Sequence, residues 1–148
     1  MSRSGNLPMV VSACLAGVAC RYNQSAFPCA AVLRRMEAGG VLALCPEVLA
    51  GLPTPRPPAE QQGECICTID GQDVTAAYRL GVEKAMQRVR EQKCGEAVLK
   101  SYSPTCGSGM VYDGTFSGRL VAGDGLFALR LKQEGIRVYT EAEYEQIK

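Results

Sequence analysis

The chain has 148 residues, of which 47% are hydrophobic and 21% charged, enough for one domain with its own core. Sixteen basic and fifteen acidic residues give a formal net charge of +1, which provides no global field toward nucleic acid or an anionic membrane. Eight cysteines are present but no histidine, which excludes a Ser-His-Asp triad, a Cys-His dyad and any zinc site with an imidazole ligand. Proton transfer must therefore fall to Glu, Asp, Lys, Tyr or Cys.

The same features bear on the compartment. The apolar runs are only a few residues long, far short of the roughly 20 that a membrane-spanning helix needs. The start, MSRSGNLPMVV, has neither the apolar segment nor the small-residue cleavage site of a signal peptide. We therefore expect a cytoplasmic protein with no membrane partner. In such a chain, many cysteines indicate metal or redox chemistry rather than a disulfide framework.

The first half of the chain is predicted to contain two buried strands, each ending at a cysteine. MVVSAC (9–14) and VLALC (41–45) are continuous apolar segments, and helical spacing of apolar residues over 27–37 predicts a helix between them. The segment LPTPRPP (52–58) carries four prolines and is expected to be an ordered loop or an extended arm. ECICTID (64–70) alternates weakly and is predicted as an edge strand.

The second half begins with the longest predicted helix, which Asp73 or Thr75 can cap and which runs to about residue 92. A strand at AVLK (97–100), a Gly-rich excursion, a helix over about 126–133 and a strand at IRVY (136–139) follow. Unbroken apolar strands that alternate with amphipathic helices predict a parallel sheet covered on both faces. We therefore expect one α/β domain over residues 1–148, a three-layer sandwich of the Rossmann-like or flavodoxin-like type.

Three cysteines share one kind of position in this predicted fold. Cys14, Cys45 and Cys106 each lie at, or just beyond, the C-terminal end of a predicted parallel strand. Ligands bind at this edge of open α/β sheets. A single cysteine there is more often a small buried hydrophobe, but three at equivalent positions favour a shared site.

The residue types at this site leave several metals open. Three thiolates suit a soft metal, and a [4Fe-4S] cluster held by three cysteines would keep one iron open. Structural zinc would need a fourth thiolate, which Cys20 or Cys29 could supply. The spacing contains neither a ferredoxin motif nor a CxxC pair. Cys65, Cys67 and Cys94 are interpreted as core or surface thiols.

Long sequence blocks identify a family resemblance that covers nearly the whole chain. The blocks are VSACLAGVACRYN, LCPEVLAGLPTPRPPAE, DGQDVT, KSYSPTCGSG and YDGTFSGRLVAGDG. They resemble, in the same order, the blocks of the DUF523 family, whose characterised members are thiouracil desulfurases.

The resemblance implies an α/β domain that holds an oxygen-sensitive [4Fe-4S] cluster on Cys14, Cys45 and Cys106. It further implies that the open iron binds the sulfur of a small thiolated compound such as 2-thiouracil. The C–S bond is then hydrolysed without net redox change, and sulfide is released. The family's catalytic carboxylate and serine map onto Glu47 and Ser103. Such a cluster can be absent from an aerobic preparation.

Four further residues are candidates for substrate or cluster contacts. Lys100 can neutralise the negative charge of a cluster, although a lysine that ends a strand is often simply exposed. Arg21 and Arg56 are candidates for contacts at the cluster edge or the substrate, with a surface location as the alternative. Tyr102 stands where the family usually has arginine, so it is a candidate determinant of substrate choice.

Other expectations concern the backbone, the alternatives and the assembly. Gly107 and Gly109 allow close backbone approach, so their amides are predicted to donate to cluster sulfides. The alternative function is a non-catalytic metal or Fe–S protein that uses four cysteines, with Cys20 or Cys29 as the fourth. A third hypothesis is an α/β binding module whose cysteines only pack. We expect no nucleic-acid partner, and a monomer or weak homodimer.

Overall fold

Strands and helices alternate along residues 8–147, the part of the chain that the computed structural model describes. The strands are β1 (Met9–Ser12), β2 (Val41–Leu44), β3 (Ala59–Gln62), β4 (Cys65–Thr68), β5 (Glu96–Leu99), β6 (Met110–Tyr112), β7 (Leu120–Ala122) and β8 (Arg137–Thr140). The helices are α1 (Ala30–Glu37), α2 (Pro46–Leu49), α3 (Thr75–Gln92), α4 (Leu126–Gln133) and α5 (Glu141–Ile147). A short 3₁₀ helix, Ala13–Ala16, directly follows β1.

Four of the strands form a parallel sheet in the order β2-β1-β5-β8. Each of them lies within two residues of a strand that the sequence predicts. The order is that of the flavodoxin-like doubly wound fold, in which the crossover direction changes at the first strand. The C-terminal ends of β1, β2 and β5 therefore meet at the switch point, where a ligand site is expected.

Side chains on the two faces of this sheet pack against different helices. Val10, Ala97 and Leu99 are fully buried in a cluster with residues of α3 and α4. Val11 and Val98, which point to the other face, pack with residues of α1 and α5. Burial of both faces explains why the strands are continuously apolar. The predicted three-layer α/β sandwich is confirmed.

Two antiparallel hairpins, β3–β4 and β6–β7, stand apart from the main sheet. The predicted edge strand at 64–70 is therefore not at the edge of the parallel sheet; it is β4, paired with β3. The side-chain amide of Gln61 donates to the carbonyl oxygens of Pro104 and Asp124, both at 3.0 Å. The first hairpin thereby fixes the loops that follow β5.

The helices α2 and α5 and the strands β3, β6 and β7 were not predicted from the sequence. None of the helices within residues 8–147 combines the length and the apolar character that crossing a lipid bilayer requires. The described residues form one domain, whereas residues 1–7 and 148, which the predicted domain over 1–148 includes, lie outside the described part.

Candidate functional site

A cavity of about 380 Å³ opens at the C-terminal ends of β1, β2 and β5. Its other walls come from residues within 20–22, 56–60 and 112–118, and from Ile69 and Tyr78. The cavity therefore lies at the edge of the sheet where the sequence predicts the site.

The three predicted ligand cysteines line this cavity together with Cys20. Cys14 lies in the 3₁₀ helix, two residues beyond the end of β1, and Cys45 is the residue before the first turn of α2. Cys106 lies in the loop after β5 and, like Cys14 and Cys20, is buried. Separate strands thus deliver thiols to one enclosed space.

The surroundings of Cys20, Cys45 and Cys106 favour the protonated thiol, because they raise the pKa of each. A hydrogen bond with Cys14 raises the pKa of Cys20 to about 11. The hydrogen bond with Cys20, together with burial, raises the pKa of Cys45, and burial raises the pKa of Cys106 although Ser12 donates a hydrogen bond to it. Because metal ligands must be thiolates, loading of iron at this site releases protons.

The donor set fits an iron–sulfur cluster better than a single metal ion. Within residues 8–147, no group of three cysteine or carboxylate side chains is placed to hold one ion. A structural zinc site needs all its sulfur ligands about 2.3 Å from the metal, whereas the cysteines of a cluster bind different iron atoms and lie farther apart. All eight cysteines are free thiols, so the three predicted ligands remain available.

Glu47 lies in the first turn of α2, which begins with Pro46. Its Oε1 accepts from Arg56 Nε at 2.9 Å and faces Arg56 Nη2 at 2.7 Å, while its Oε2 accepts from Thr105 Oγ1 at 3.0 Å. The Tyr78 hydroxyl also bonds to this carboxylate, and burial together with the Glu47 charge raises the pKa of Tyr78. The carboxylate is therefore fixed at the cavity wall by protein groups on both oxygens.

Arg56 lines the cavity, but its guanidinium donates its hydrogen bonds to other protein atoms. Nη2 donates to the carbonyl oxygen of Cys20 at 2.9 Å, and Nη1 donates to Pro53 O at 3.2 Å and Thr54 Oγ1 at 3.0 Å. The side chain is only 5% exposed. Arg56 therefore holds Glu47 and the Cys20 segment in place, and its predicted contact with substrate stays a prediction.

Ser103 lines the cavity and also forms a local turn. Its Oγ accepts hydrogen bonds from the backbone amides of Thr105 at 3.0 Å and of Cys106 at 3.1 Å. Both bonds use lone pairs of the oxygen, so the hydroxyl proton remains available to donate into the cavity. The turn role and the predicted role toward substrate are therefore compatible.

Lys100 and Arg21 line one side of the cavity. Lys100 Nζ lies 3.4 Å from Glu141 Oε2 and 4.4 Å from the centroid of the Phe27 ring. Arg21 Nη1 donates to Ser25 Oγ at 3.3 Å, and its guanidinium carbon lies 5.7 Å from the same ring centroid. Both cations thus lie within cation–π distance of the same aromatic ring, that of Phe27.

Tyr102 is the one predicted substrate residue that lies outside the cavity wall. It is 39% exposed and adopts a left-handed backbone conformation with φ of +71°. Its ring packs edge-on against Tyr112, with centroids 5.9 Å apart, and Tyr112 does line the cavity. Any effect of Tyr102 on substrate choice must therefore pass through Tyr112 or act at the rim.

The predicted role of the two glycines after Cys106 is wrong. The amide of Gly107 donates to Ser103 O at 2.9 Å, and the amide of Gly109 donates to Asp124 Oδ1 at 2.8 Å. Neither donor is free for a cluster sulfide. A Cβ on Gly107 would lie 2.8 Å from Ser103 O, so this glycine instead permits tight folding of the loop.

Three residues of the site were not predicted from the sequence. Ser12 Oγ accepts from the Lys100 amide at 2.9 Å and bonds to Cys106. Thr105 is 1% exposed and holds Glu47, and Glu60 is a buried carboxylate on the cavity wall. A serine at the end of an otherwise apolar strand is a usable signal for the first of these. The other two are identified only by packing between distant segments.

The remaining cysteines lie away from the cavity. Cys29 occupies the N-cap position of α1, where its thiol donates to Glu145 Oε2 at 3.2 Å and not to the helix backbone. Cys65 is exposed, Cys67 is half-buried, and Cys94 is buried after α3. The interpretation of these residues as packing or surface thiols agrees with their locations, and Cys29 is not a member of the cavity group.

Known proteins resemble this chain over nearly its whole length. A protein of Bacillus subtilis (strain 168), Uncharacterized protein YbbK, is 39% identical over 149 residues, covering 94% of this chain and 99% of the relative. A solved structure, the [4Fe-4S]-dependent thiouracil desulfidase TudS, is 43% identical and matches with a TM-score of 0.89 over 95% of both chains. The model of the 2-thiouracil desulfurase family matches residues 9–143. The chain belongs to the 2-thiouracil desulfurase family.

Proposed function

We propose that this chain is a [4Fe-4S]-dependent desulfidase that removes sulfur from a small thiolated ring compound such as 2-thiouracil. The observation that carries the proposal is the meeting of Cys14, Cys45 and Cys106 with Glu47 and Ser103 on one cavity. The similarity to a [4Fe-4S]-dependent thiouracil desulfidase over 95% of the chain supports it independently.

In this proposal Cys14, Cys45 and Cys106 would hold the cluster, and the substrate would bind in the same cavity. When bound, a cluster with an open iron supplies a Lewis acid toward the soft thiocarbonyl sulfur. The overall reaction is hydrolysis: water provides the oxygen that replaces sulfur on the ring carbon, and the sulfur leaves as sulfide.

Glu47 is the proposed proton carrier, because the chain has no histidine and this carboxylate lies on the cavity wall. It takes a proton from the attacking water or returns one to a ring nitrogen. Arg56 and Thr105 hold both of its oxygens, which sets the direction of approach. The Ser103 hydroxyl, which accepts hydrogen bonds from two backbone amides, donates a hydrogen bond to the substrate.

Cys20 favours one second candidate, a non-catalytic Fe–S or metal protein with four cysteine ligands. It is 6% exposed, lines the cavity and bonds to both Cys14 and Cys45. If Cys20 is a permanent fourth ligand, no iron remains open for substrate. Under the desulfidase proposal, Cys20→Ser keeps the cluster, whereas serine at each of the three predicted ligands loses it.

The deciding experiment is anaerobic reconstitution with iron and sulfide followed by addition of 2-thiouracil. We expect about four irons and four sulfides per chain, and release of sulfide and uracil in equal amounts. A protein that takes up no iron contradicts the cluster. If the cluster-loaded protein releases no sulfide from 2-thiouracil or other thiolated bases, this contradicts the desulfidase activity and favours the non-catalytic Fe–S protein.

The proposal extends to partner and compartment. The substrate is a small molecule, and we propose no nucleic-acid partner and a monomer or weak homodimer. A cytoplasmic location is proposed because the predicted ligands must stay reduced to bind iron. Size-exclusion chromatography with light scattering tests the assembly state.

A further inference from the structure

The cavity wall carries a second carboxylate that the proposed mechanism does not use. Glu60, on β3, lines the cavity and is 8% exposed. Its Oε1 accepts the backbone amides of Gly114 at 2.9 Å and Phe116 at 3.1 Å. These two bonds come from one loop and prevent the side chain from swinging away.

The two cavity carboxylates differ in their free acceptor capacity. Both oxygens of Glu47 have protein partners, as Arg56 and Thr105 bind one each. For Glu60, residues 8–147 provide no ion pair and no partner to Oε2. In the same part of the chain, no fully buried side-chain oxygen or nitrogen lacks a partner. Oε2 is therefore accessible, and because Glu60 is otherwise buried, it is reached from the cavity.

A fixed carboxylate oxygen in a mostly enclosed site selects for a hydrogen-bond donor. Burying it against an apolar or acceptor group costs free energy, because its hydration is lost without replacement. The three cations that residues 8–147 place on the cavity wall contact other groups: Lys100 contacts Glu141, Arg56 contacts Glu47, and Arg21 donates to Ser25. The donor that satisfies Glu60 must therefore come from the ligand or from water.

We propose that Glu60 is a specificity residue that accepts a hydrogen bond from a ring N–H of the substrate. The assignment rests on the proposed desulfidase function. It restricts the substrate class to thiolated heterocycles that carry an N–H group in the thione form. N-Alkylated analogues lack this donor and leave the carboxylate unpaired.

The test uses Glu60→Gln, which preserves the loop contact. Only the amide oxygen can accept from Gly114 and Phe116, so the NH₂ group takes the place of Oε2. The acceptor toward the cavity thereby becomes a donor. Glu64→Gln is the matched control, because Glu64 is an exposed carboxylate in the same hairpin, outside the cavity wall.

Cluster-loaded wild type and both variants are assayed for sulfide release from 2-thiouracil, 1-methyl-2-thiouracil and 3-methyl-2-thiouracil. A hydrogen bond to a charged group corresponds to about a tenfold to hundredfold effect on kcat/KM. We expect Glu60→Gln to lower kcat/KM for 2-thiouracil by this factor and to lose the discrimination against one N-methyl isomer. Iron content and the activity of Glu64→Gln should stay at the wild-type level.

Two results overturn the assignment. The first is that wild type and Glu60→Gln discriminate equally against the N-methyl isomer, which indicates a steric effect of the methyl group. The second is that Glu60→Gln loses iron. Failure of the proposed desulfidase function is distinguished from failure of the Glu60 assignment, because in that case the wild type itself releases no sulfide. In that case calorimetry with uracil on the same proteins decides. Weaker uracil binding to Glu60→Gln supports the role of Glu60, and equal or undetectable binding to both contradicts it.

Discussion

Gly81 lies in α3 at the point where this helix crosses α2, and replacing it by alanine tests how the site is positioned. A Cβ at this position would lie 2.0 Å from the carbonyl oxygen of Pro46 and 2.9 Å from the Cβ of Ala50. Real Cβ contacts essentially never fall below 3.0 Å. The two helices must therefore move apart by about 1 Å or more, and the atoms that must move are backbone.

The sign of the stability change distinguishes this collision from an ordinary helix substitution. Gly→Ala inside a helix stabilises by about 1 kcal/mol when space is available. Overpacking against backbone destabilises by about 1–3 kcal/mol, so after the helix gain is subtracted Gly81→Ala is expected to destabilise by up to about 2 kcal/mol net. With a urea m-value of about 2 kcal/mol/M, the middle of the usual range, the unfolding midpoint should fall by up to about 1 M.

The same displacement of α2 should also lower the catalytic rate, because Glu47 lies on this helix. Glu47 follows Pro46 directly, and its bond to Thr105 is 3.0 Å long, so a shift of this size breaks it. Misplacement by about 1 Å costs roughly a hundredfold in rate. Urea unfolding followed by circular dichroism and a sulfide-release assay measure both effects. Gly123→Ala is the control, because its Cβ would meet nothing closer than Val111 Cγ2 at 3.4 Å. A Gly81→Ala protein that is more stable than wild type and fully active refutes the reasoning.

Three other substitutions separate the roles at the site. Cys20→Ser should retain wild-type iron content after anaerobic reconstitution, and a loss of iron equal to that of Cys106→Ser would identify Cys20 as a ligand. Arg56→Met leaves the mostly buried Glu47 carboxylate without its ion-pair partner, so the free energy of unfolding, measured by urea titration, should fall by about 3–5 kcal/mol. An unchanged unfolding midpoint contradicts the role of Arg56 in holding Glu47. Ser103→Ala should lower kcat at least about tenfold with unchanged iron content, and an unaltered kcat would leave this serine only its turn role.

The parallel sheet was predictable because its signal is local. Continuous apolar strands and the helical stripe of α3 depend on residues a few positions apart, and both faces of the sheet bury them. The same locality explains why three cysteines at strand ends could be assigned to one edge before any geometry was known. The edge is a property of parallel topology, so spacing along the chain was not needed.

The missed elements depend on contacts between distant segments. The helix α2 has one turn and follows a proline, so it carries no periodic signal, and it exists through packing on α3 at Gly81. Strand β3, with the sequence AEQQ, has low strand propensity and is held by β4 and by the loops that its glutamines reach.

The polar part of the site was the least predictable. Thr105 and Arg56 act on Glu47 across 58 and 9 positions, and no pattern within either segment indicates the pairing. The amides of Gly107 and Gly109 were predicted to donate to the cluster because glycine allows close approach of the backbone. These amides instead donate to Ser103 and Asp124. For Gly107, which is buried, this follows the general rule that buried backbone donors find partners within the fold.

The most direct test of the central claim is one anaerobic experiment on the wild-type chain, in which iron is counted before 2-thiouracil is added and sulfide and uracil are measured afterwards. The account predicts a cluster-loaded protein that releases one sulfide for each uracil formed, over many turnovers, without an added reductant or oxidant. A protein that binds no iron, or one that binds iron and forms no uracil, contradicts it.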